Sequence, residues 1–304
     1  MPARLWDDPD AFAATLRALP VRRPGVPRGV FLVAPADFRL AGESASDNAY
    51  MQMAQTVDAQ RAAAQHQALA SALARAGIPT HIFPGDPDTP DAVFPNNVFA
   101  TAPGRLIVGA MRHAVRQREA DRADIRAWFR DLLGYRQIDL SAQPLVAELT
   151  GSLVIDRARG IGYCGLSERC DRAGAAAMAR AFDLDHVLVF ELATGEYHTN
   201  VVMSALAGRG LLLCPDGFAD AAVAAALARL DGSVVIDGEE KAGYVGNCIA
   251  LGERGLWMSA CALGALRSAT RRAIEAHGLA IHSVELDELE KAGGSLRCMI
   301  GEVY

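Results

Sequence analysis

The sequence predicts an α/β fold in which one supersecondary unit recurs about five times and closes radially around a centre. Short apolar hairpins with neighbouring arginine and glycine residues at the turn recur at intervals of about 45 to 55 residues, a period typical of such arrays. They lie at 104–109, 158–164, 208–214 and 253–258. An alanine-rich amphipathic stretch follows each hairpin, at 118–133, 171–182, 218–230 and 266–277. No Gly-x-Gly-x-x-Gly motif opens a helix after a strand, and no phosphate-loop motif occurs, so a doubly wound dinucleotide-binding sheet is not favoured.

The segment before the repeats adds four predicted elements. They are a short helix over 9–19, an apolar strand over 29–33, a long helix over 47–76 and a strand over 80–83. No linker rich in Ser, Gly or Pro separates these elements from the repeats, so we predict one domain over 1–304. Radial repetition leaves a central channel where loops converge, and such a channel is a natural place for a small-molecule site.

Composition limits the classes of partner. At 304 residues, 51% hydrophobic and 22% charged, the chain can bury a large core. A net charge of -6 without a run of Lys or Arg argues against nucleic acid and against an anionic membrane surface. The first twenty residues carry acids and no continuous apolar segment, so we do not predict a signal peptide. We expect a cytoplasmic protein with a small-molecule partner; a homo-oligomer is compatible with the sequence, which does not indicate the number of subunits.

The cysteines predict free thiols and one candidate nucleophile. None forms a Cys-x-x-Cys pair or stands at metal-ligand spacing from a histidine, so we expect reduced thiols, no metal site and no cofactor. The six are Cys164, Cys170, Cys214, Cys248, Cys261 and Cys298. Cys298 differs because it follows the turn Gly293-Gly294-Ser295, and a glycine-rich approach lets a substrate come close to a thiol. By itself, a lone cysteine is more often structural.

Polar residues interrupt the apolar pattern in three further segments. Asp91, Asn96 and Asn97 precede one hairpin, and Glu148 stands at a glycine-containing strand entry. His198 lies in a predicted strand that leads into an apolar run. Together with Cys298 these segments supply a thiol, a base, an acid and two amides, the set needed to attack a planar carbon that carries a nitrogen leaving group.

The ordered motifs resemble the guanidino-group modifying superfamily, which includes arginine deiminase, dimethylarginine dimethylaminohydrolase and amidinotransferase. The motifs are Phe94-Pro95-Asn96-Asn97, 148–152, Ser167-Glu168-Arg169, His198 and 293–298, and the resemblance covers 91–304. The Phe-Pro-Asn-Asn motif is similar to that of the branch that includes citrulline hydrolases. The resemblance implies a five-bladed α/β propeller, or pentein, with pseudo-fivefold repeats around a central active-site channel. It also implies catalysis without a metal or organic cofactor.

The resemblance implies a role for each matched residue. Cys298 would be the nucleophile, His198 the general acid and base, and Glu148 the group that holds the terminal nitrogens of the substrate. Arg169 matches an arginine that binds the substrate α-carboxylate in relatives, and Arg116 is a second candidate for that task. The remaining expected substrate-binding residues are Asp91, Asn96, Asn97 and Asn200.

Two acid-to-amide changes bear on the substrate. Asn97 and Asn200 stand where deiminases have aspartates, and a guanidinium, which offers only N–H donors, favours carboxylates. A ureido group also presents a carbonyl oxygen, so the amides favour hydrolysis of citrulline to ornithine. Asp91 and Glu148 could still hold a guanidinium, which leaves an arginine deiminase or a dimethylarginine dimethylaminohydrolase as the alternative. An amidinotransferase and a non-catalytic ligand-binding propeller are weaker alternatives.

The loop 37–49 is polar and contains Gly42, Ser44 and Ser46. Small and polar residues of this kind are typical of loops that can change conformation. We therefore regard 37–49 as a candidate lid over the site.

Overall fold

The computed structural model describes residues 3–21 and 25–304 and shows a mixed α/β fold with several small sheets. The strands are β1 (Arg4–Trp6), β2 (Gly29–Val33), β3 (Thr80–Phe83), β4 (Phe99–Ala102), β5 (Arg105–Val108), β6 (Arg136–Asp139), β7 (Leu153–Asp156), β8 (Ile161–Leu166), β9 (His186–Glu191), β10 (Met203–Ala205), β11 (Leu211–Leu213), β12 (Val234–Val235), β13 (Ile249–Leu251), β14 (Gly255–Ser259), β15 (Ala280–Val284) and β16 (Gly301–Val303).

Apart from α1, which lies between β1 and β2, the helices connect the second and third strands of the sheets or precede a first strand. They are α1 (Pro9–Leu16), α2 (Ala59–Arg75), α3 (Ala114–Gln117), α4 (Ala123–Ala127), α5 (Leu149–Ser152), α6 (Arg172–Ala181), α7 (Thr199–Val202), α8 (Ala221–Ala228), α9 (Gly238–Ala242), α10 (Ala260–Ala265), α11 (Ser268–Ala276), α12 (Asp287–Glu290) and α13 (Leu296–Met299). None of the helices in the described ranges has the length and apolarity needed to cross a membrane.

Within the described residues the strands form five sheets with one recurring topology. In β4-β5-β6, β7-β8-β9, β10-β11-β12 and β13-β14-β15, an antiparallel hairpin is followed by a third strand parallel to the second. In the remaining sheet, β16 pairs antiparallel with β2, and β2 pairs in parallel with β3. The two ends of the chain therefore share one copy of the unit, while β1 adds to the edge of β9.

The four predicted hairpins and the strands 29–33 and 80–83 are confirmed. The turns need glycine because Gly104 and Gly160 have φ of +68° and +72°, a conformation that a side chain disfavours. All five residues of β2 are buried, and so are all five of β14. Strands covered on both faces read as continuous apolar runs, which explains why they could be found in the sequence.

Three predictions about helices and strands are wrong in their bounds or type. The helix predicted over 47–76 is Ala59–Arg75, with Asp58 accepting from the backbone N–H of Gln60 and Arg61 as its N-cap. The helix predicted over 9–19 ends at Leu16. The stretch 118–133 is broken into α4 flanked by a 3₁₀ turn and a π turn, whereas α6, α8 and α11 fall inside their predicted ranges.

The ends of the first strands bring the polar motifs together. A short turn or helix directly precedes four of the five first strands: the 3₁₀ turn Pro95–Asn97 before β4, α5 before β7, α7 before β10 and α13 before β16. The turn Pro95–Asn97 contacts both α5 and α13, and α5 contacts α7. Because these segments occupy equivalent positions in successive sheets, their side chains converge on one place.

Candidate active site

Cys298 lies in α13 and is buried, with 2% of its surface exposed. Its Sγ accepts a hydrogen bond from Nδ2 of Asn247 at 3.3 Å and lies 3.7 Å from Nδ2 of Asn200. A side chain at Gly293, before Cys298, would collide with its neighbours, since a Cβ there would lie 2.5 Å from the amide of Asn48. Gly293 also has φ of +78°, which favours glycine. Burial raises the pKa of the Cys298 thiol, and the amide donors act against that rise. The thiol is therefore protonated at neutral pH until a partner takes the proton.

Asn247 is a site residue that our sequence analysis missed. Its Nδ2 also donates to the carbonyl oxygen of Asn200 at 2.9 Å, so one amide fixes both the thiol and the backbone beside it. Its Oδ1 is buried without a hydrogen-bond partner in the described part of the chain. A signal existed: Asn247 stands two residues before β13, just as Asn97 stands two residues before β4. Alignment of the repeats on their first strands would have selected it.

His198 and Glu148 form a buried pair beside the thiol. Oε2 of Glu148 lies 2.8 Å from Nε2 of His198. Burial alone would raise the pKa of Glu148, but Arg169 and His198 outweigh it and lower that pKa to about 2. An ionised carboxylate only accepts, so Nε2 of His198 carries the proton and Nδ1 keeps its lone pair. Burial lowers the pKa of His198, with Glu148 opposing, and the imidazole is neutral.

The free nitrogen of His198 faces a second unpaired acceptor. Its Nδ1 and Oδ1 of Asn97 are both buried and have no partner among residues 3–21 and 25–304. A Cβ placed on Gly151 would lie 2.9 Å from that Nδ1 and 2.6 Å from that Oδ1, which requires glycine there. Leu149, in the same turn, has φ of +27°, a strained value of the kind found at functional sites. His198 was predicted inside a strand, and this is wrong: it is the N-cap residue of α7.

Arg169 links Glu148 to the loop 37–49. Its Nη1 lies 3.3 Å from Oε2 of Glu148, and its Nε and Nη2 donate to the two oxygens of Asp47 at 2.7 and 2.6 Å. Nη2 also donates to the carbonyl oxygen of Ser44 at 2.9 Å. All three guanidinium nitrogens of Arg169 thus have acceptors within the protein. Asp47 was not predicted, because its partner lies more than a hundred residues away in sequence.

Arg116 is buried but less fully engaged. Its Nε and Nη2 donate to the carboxylate of Glu119 at 2.7 and 2.9 Å, and Nη2 also donates to the carbonyl oxygen of Phe94 at 3.0 Å. Nη1 makes no hydrogen bond within the ranges that the structure describes, and Arg116 borders the same cavity as His198. Of the two predicted arginines, Arg116 has the nitrogen that is free to meet a ligand.

The other predicted residues divide into two groups. Asp91 borders the cavity and accepts from the hydroxyl of Ser44 at 2.6 Å. Asn96 instead faces α5, where its Nδ2 lies 3.3 Å from Oγ1 of Thr150. Asn200 does not border the cavity and lies beside the thiol, with its Nδ2 3.7 Å from Sγ. The cavity itself measures about 20 Å³, room for a water molecule. Its lining is Ser44, Asn48, Asp91, Phe94, Asn97, Arg116, Arg169, Tyr197, His198, Ala292, Gly294 and Cys298.

No group of three or more His, Cys, Asp or Glu side chains in the described residues is arranged to hold a metal ion. The side chains at the site offer several groups that could take part in chemistry. These are a thiol held by amides, an imidazole with a free Nδ1, and the unpaired Oδ1 of Asn97, whose residue borders the cavity. Unpaired acceptors of this kind match a planar group that is rich in N–H donors.

Comparison with known proteins gives a family and related folds. A family model described as N,N dimethylarginine dimethylhydrolase, eukaryotic, matches residues 34–304. The uncharacterized protein ZK1307.1 of Caenorhabditis elegans is 24% identical over 254 residues, which cover 82% of this chain and 85% of that protein.

Two solved structures are similar in fold. One is the N-terminal domain of ArgZ, an arginine dihydrolase from the ornithine-ammonia cycle in cyanobacteria, with a TM-score of 0.77 and 19% identity over 90% of this chain and 97% of that one. The other is a dimethylarginine dimethylaminohydrolase adduct with S-methyl-L-thiocitrulline, with a TM-score of 0.69 and 20% identity over 91% of this chain and 100% of that one. Since the family match spans nearly the whole chain, the protein belongs to the eukaryotic N,N-dimethylarginine dimethylhydrolase family, within the guanidino-group modifying pentein superfamily.

Proposed function

We propose that the protein is a cysteine-dependent hydrolase of a C–N bond at the ureido or guanidino carbon of an arginine-derived amino acid, with citrulline to ornithine as its reaction. The observation that carries this proposal is the shared cavity of Cys298 and His198. Cys298, His198 and Asn97 all border that cavity, and Nδ1 of His198 and Oδ1 of Asn97 are buried without a hydrogen-bond partner among the described residues. Family membership supports hydrolysis at such a carbon.

In the proposed mechanism, the thiol of Cys298 first gives its proton to Nδ1 of His198. Sulfur then attacks the planar carbon of citrulline and forms an S–C bond. Nδ1–H protonates the departing nitrogen as the C–N bond breaks, and ornithine leaves. Water next gives a proton to Nδ1 and attacks the S-carbamoyl carbon, the C–S bond breaks, and the thiol is restored. The carbamic acid released decomposes to carbon dioxide and ammonia.

The amides would stabilise the sulfur while it carries negative charge. Nδ2 of Asn247, at 3.3 Å, and the more distant amide of Asn200 both point N–H dipoles at Sγ. Glu148, ionised because its pKa is about 2, would stabilise the protonated imidazole that forms in each half of the reaction. In this assignment Glu148 acts through His198, because its oxygens are already engaged with His198 and Arg169.

The preference for citrulline now depends on one amide. Asn200 faces the thiol, so the presence of an amide there instead of an acid says nothing about the substrate. Asn97, in contrast, borders the cavity. An amide can pair with either the carbonyl oxygen or the N–H groups of a ureido. The similarity of fold to ArgZ, named as an arginine dihydrolase of an ornithine-ammonia cycle, agrees with a reaction that ends at ornithine.

A second candidate is hydrolysis of dimethylarginine or arginine to citrulline. Asp91 gives the cavity a carboxylate, which would hold a guanidinium. The unpaired acceptors Oδ1 of Asn97 and Nδ1 of His198 also match a group that has only N–H donors. The family's own name favours this candidate.

Substrate binding and entry complete the proposal. We assign the α-carboxylate to Arg116 rather than Arg169, because Nη1 of Arg116 is free and the donors of Arg169 are occupied. A cavity of about 20 Å³ does not admit an amino acid, so the loop 37–49, which Arg169 holds through Asp47, would open as a lid. We further propose that the five sheets stand as five blades around this site, since all share one topology.

The test is a product assay with citrulline, arginine and dimethylarginine as substrates. Wild type should release ornithine and ammonia from citrulline, and Cys298→Ala should release neither. Cys261→Ala, which changes an exposed cysteine, is the matched control and should behave as wild type. Citrulline formed from arginine or dimethylarginine, with citrulline itself left intact, would replace the first candidate by the second. Full activity in Cys298→Ala would refute both.

A further inference from the structure

A second cavity lies at the opposite ends of the hairpins from Cys298. Each first strand starts at the candidate site and ends at its hairpin turn, so the turns lie on the far side of the sheets. Between the β4–β5 turn and the β7–β8 turn, beside the ring of Tyr304, is a cavity of about 440 Å³. That volume is far larger than the space at the catalytic cysteine and is in the range of small-molecule sites.

One wall of this turn-side cavity is apolar. Phe182 and Leu184, which follow α6, border it together with Val26 and Pro103. Phe182 is 1% exposed and Leu184 5%, so both are fixed by the core behind them. A rigid apolar wall of this kind suits the hydrocarbon body of a ligand.

Arg157 supplies a guanidinium that lacks a hydrogen-bond partner in the described part of the chain. Its side chain is 10% exposed, and its guanidinium stacks at 4.3 Å from the ring centroid of Tyr304. Nη2 is buried without a hydrogen-bond partner in the described chain; the carboxylate of Glu302 lies 4.0 Å away, beyond hydrogen-bond distance. Glu302 is already bonded to Arg297 at 2.7 Å and to the hydroxyl of Tyr304 at 2.8 Å. The Arg157 guanidinium borders the cavity and makes no hydrogen bond within the described residues, and a carboxylate in the cavity would give it a charge-assisted pair.

The charge around the cavity also favours an anion. Arg28 lies at the rim, and only its Nη2 is engaged, with the carbonyl oxygen of Tyr304 at 2.7 Å and the hydroxyl of Tyr135 at 2.8 Å. Among the described residues that border the cavity, Arg28 and Arg157 carry positive side chains and none is an aspartate or glutamate; Arg297 and Glu302 do not border it and pair with each other at 2.7 Å. This local excess of positive charge would attract a negatively charged group.

We propose that the turn-side cavity binds a small organic carboxylate with an apolar body. The carboxylate pairs with the guanidinium of Arg157, and the apolar body lies against Phe182 and Leu184. Arg157 belongs to the β7–β8 turn and has no contact with Cys298, so this site is independent of the hydrolase function proposed above.

The experiment is a fluorine NMR titration of the full chain with 4-(trifluoromethyl)phenylacetate. Wild type should bind the probe saturably, and the uncharged amide of the same acid should bind about tenfold more weakly, because one charge-assisted pair is lost. Arg157→Met, which keeps the length of the side chain, should lose about tenfold in affinity for the acid. Arg209→Met, at the exposed turn between β10 and β11, should change nothing.

Two further measurements separate this site from the catalytic one and from misfolding. Excess ornithine should leave the probe bound, since it would compete only at the candidate active site. Pro103→Trp fills the cavity from an exposed turn, leaves Arg157 in place and should also abolish binding, which keeps the test valid if Arg157→Met fails to fold. The proposal is overturned if wild type does not bind, if the acid and the amide bind equally, or if ornithine displaces the probe.

Discussion

The two ends of the repeated hairpins border cavities of opposite character. At the start of the first strands, short turns present Asn97, His198 and Cys298 to a cavity of about 20 Å³ that has unpaired acceptors. At the hairpin turns, the cavity beside Arg157 measures about 440 Å³, is walled by apolar side chains and has an unpaired donor. One end is closed and suited to N–H donors; the other is open and suited to an anion.

The difference comes from local backbone requirements. Hairpin turns need glycine at positive φ, as at Gly104 and Gly160, so few side chains enter the space between neighbouring turns. The turns that lead into the first strands do not need glycine at every position. They carry polar residues at different distances before the strand: Asn97 stands two residues before β4, His198 five before β10 and Cys298 three before β16. Glycines such as Gly151 and Gly294 make room where side chains must meet.

The largest expected effect is the loss of the base at the closed end. His198→Gln should lower turnover by about a thousandfold, because general acid–base catalysis is worth that much and glutamine does not exchange protons at neutral pH. Steady-state kinetics measure the effect. His282→Gln, at an exposed histidine stacked on Trp257, is the control and should keep full turnover. Near-normal turnover in His198→Gln would remove His198 from the mechanism.

Glu148→Gln should have the next largest effect, on stability as well as rate. It leaves Arg169 and His198 without their buried carboxylate, and removing one partner of a buried pair costs about 3 kcal/mol in the free energy of unfolding. Urea denaturation measures this loss. Glu239→Gln, which weakens an exposed pair with Arg267, should leave the free energy of unfolding nearly unchanged. An equal effect in both variants would contradict the buried network.

The same variant has a defined pH dependence. The folded state lowers the pKa of Glu148 from 4.5 to about 2, so its stabilising contribution is complete above pH 4.5 and is lost as the pH falls through about 2. The difference in free energy of unfolding between wild type and Glu148→Gln should therefore shrink between pH 4.5 and 2. A constant difference over that window would mean that Glu148 is not held ionised.

Sequence alone could predict the hairpins because their signals are local. Gly104 and Gly160 mark turns, and the strands between them are apolar runs. The long helix was extended too far toward the N-terminus because 47–58 is held in an irregular path by tertiary contacts. Asp47 pairs with Arg169, and the hydroxyl of Tyr50 donates to Glu196 at 2.7 Å. No pattern within 47–58 records those distant partners.

The site was predictable where motif and repeat agreed. Cys298, His198 and Asn97 all border the cavity, and each precedes a first strand. Asn247 stands two residues before β13, as Asn97 does before β4, but was missed since no motif drew attention to it. Arg169 also borders the cavity, but its pairing with Asp47 depends on how the loop 37–49 folds back, which sequence spacing does not encode.

Asn247→Ala should alter the surroundings of the Cys298 thiol without altering those of the His198 imidazole, and so tests one part of the catalytic end by itself. Loss of the 3.3 Å N–H contact should raise the pKa of Cys298, because that hydrogen bond stabilises the thiolate. The pH profile of iodoacetamide alkylation of Cys298 measures the change. Arg157→Met, at the turn-side cavity, should leave the profile unmoved. An unchanged profile in Asn247→Ala would show that its amide does not stabilise the thiolate.

The smallest expected effect concerns the closure of the catalytic end. Asp47→Asn weakens the bidentate pair with Arg169 that holds the loop 37–49, and about 1 kcal/mol lost there would raise the open population about fivefold. Iodoacetamide should then label Cys298 about five times faster at a fixed pH. Asp37→Asn makes the same substitution at an exposed position of the same loop and should leave the rate unchanged. Equal labelling rates in wild type and Asp47→Asn would mean that the reagent reaches Cys298 by a route the loop does not control.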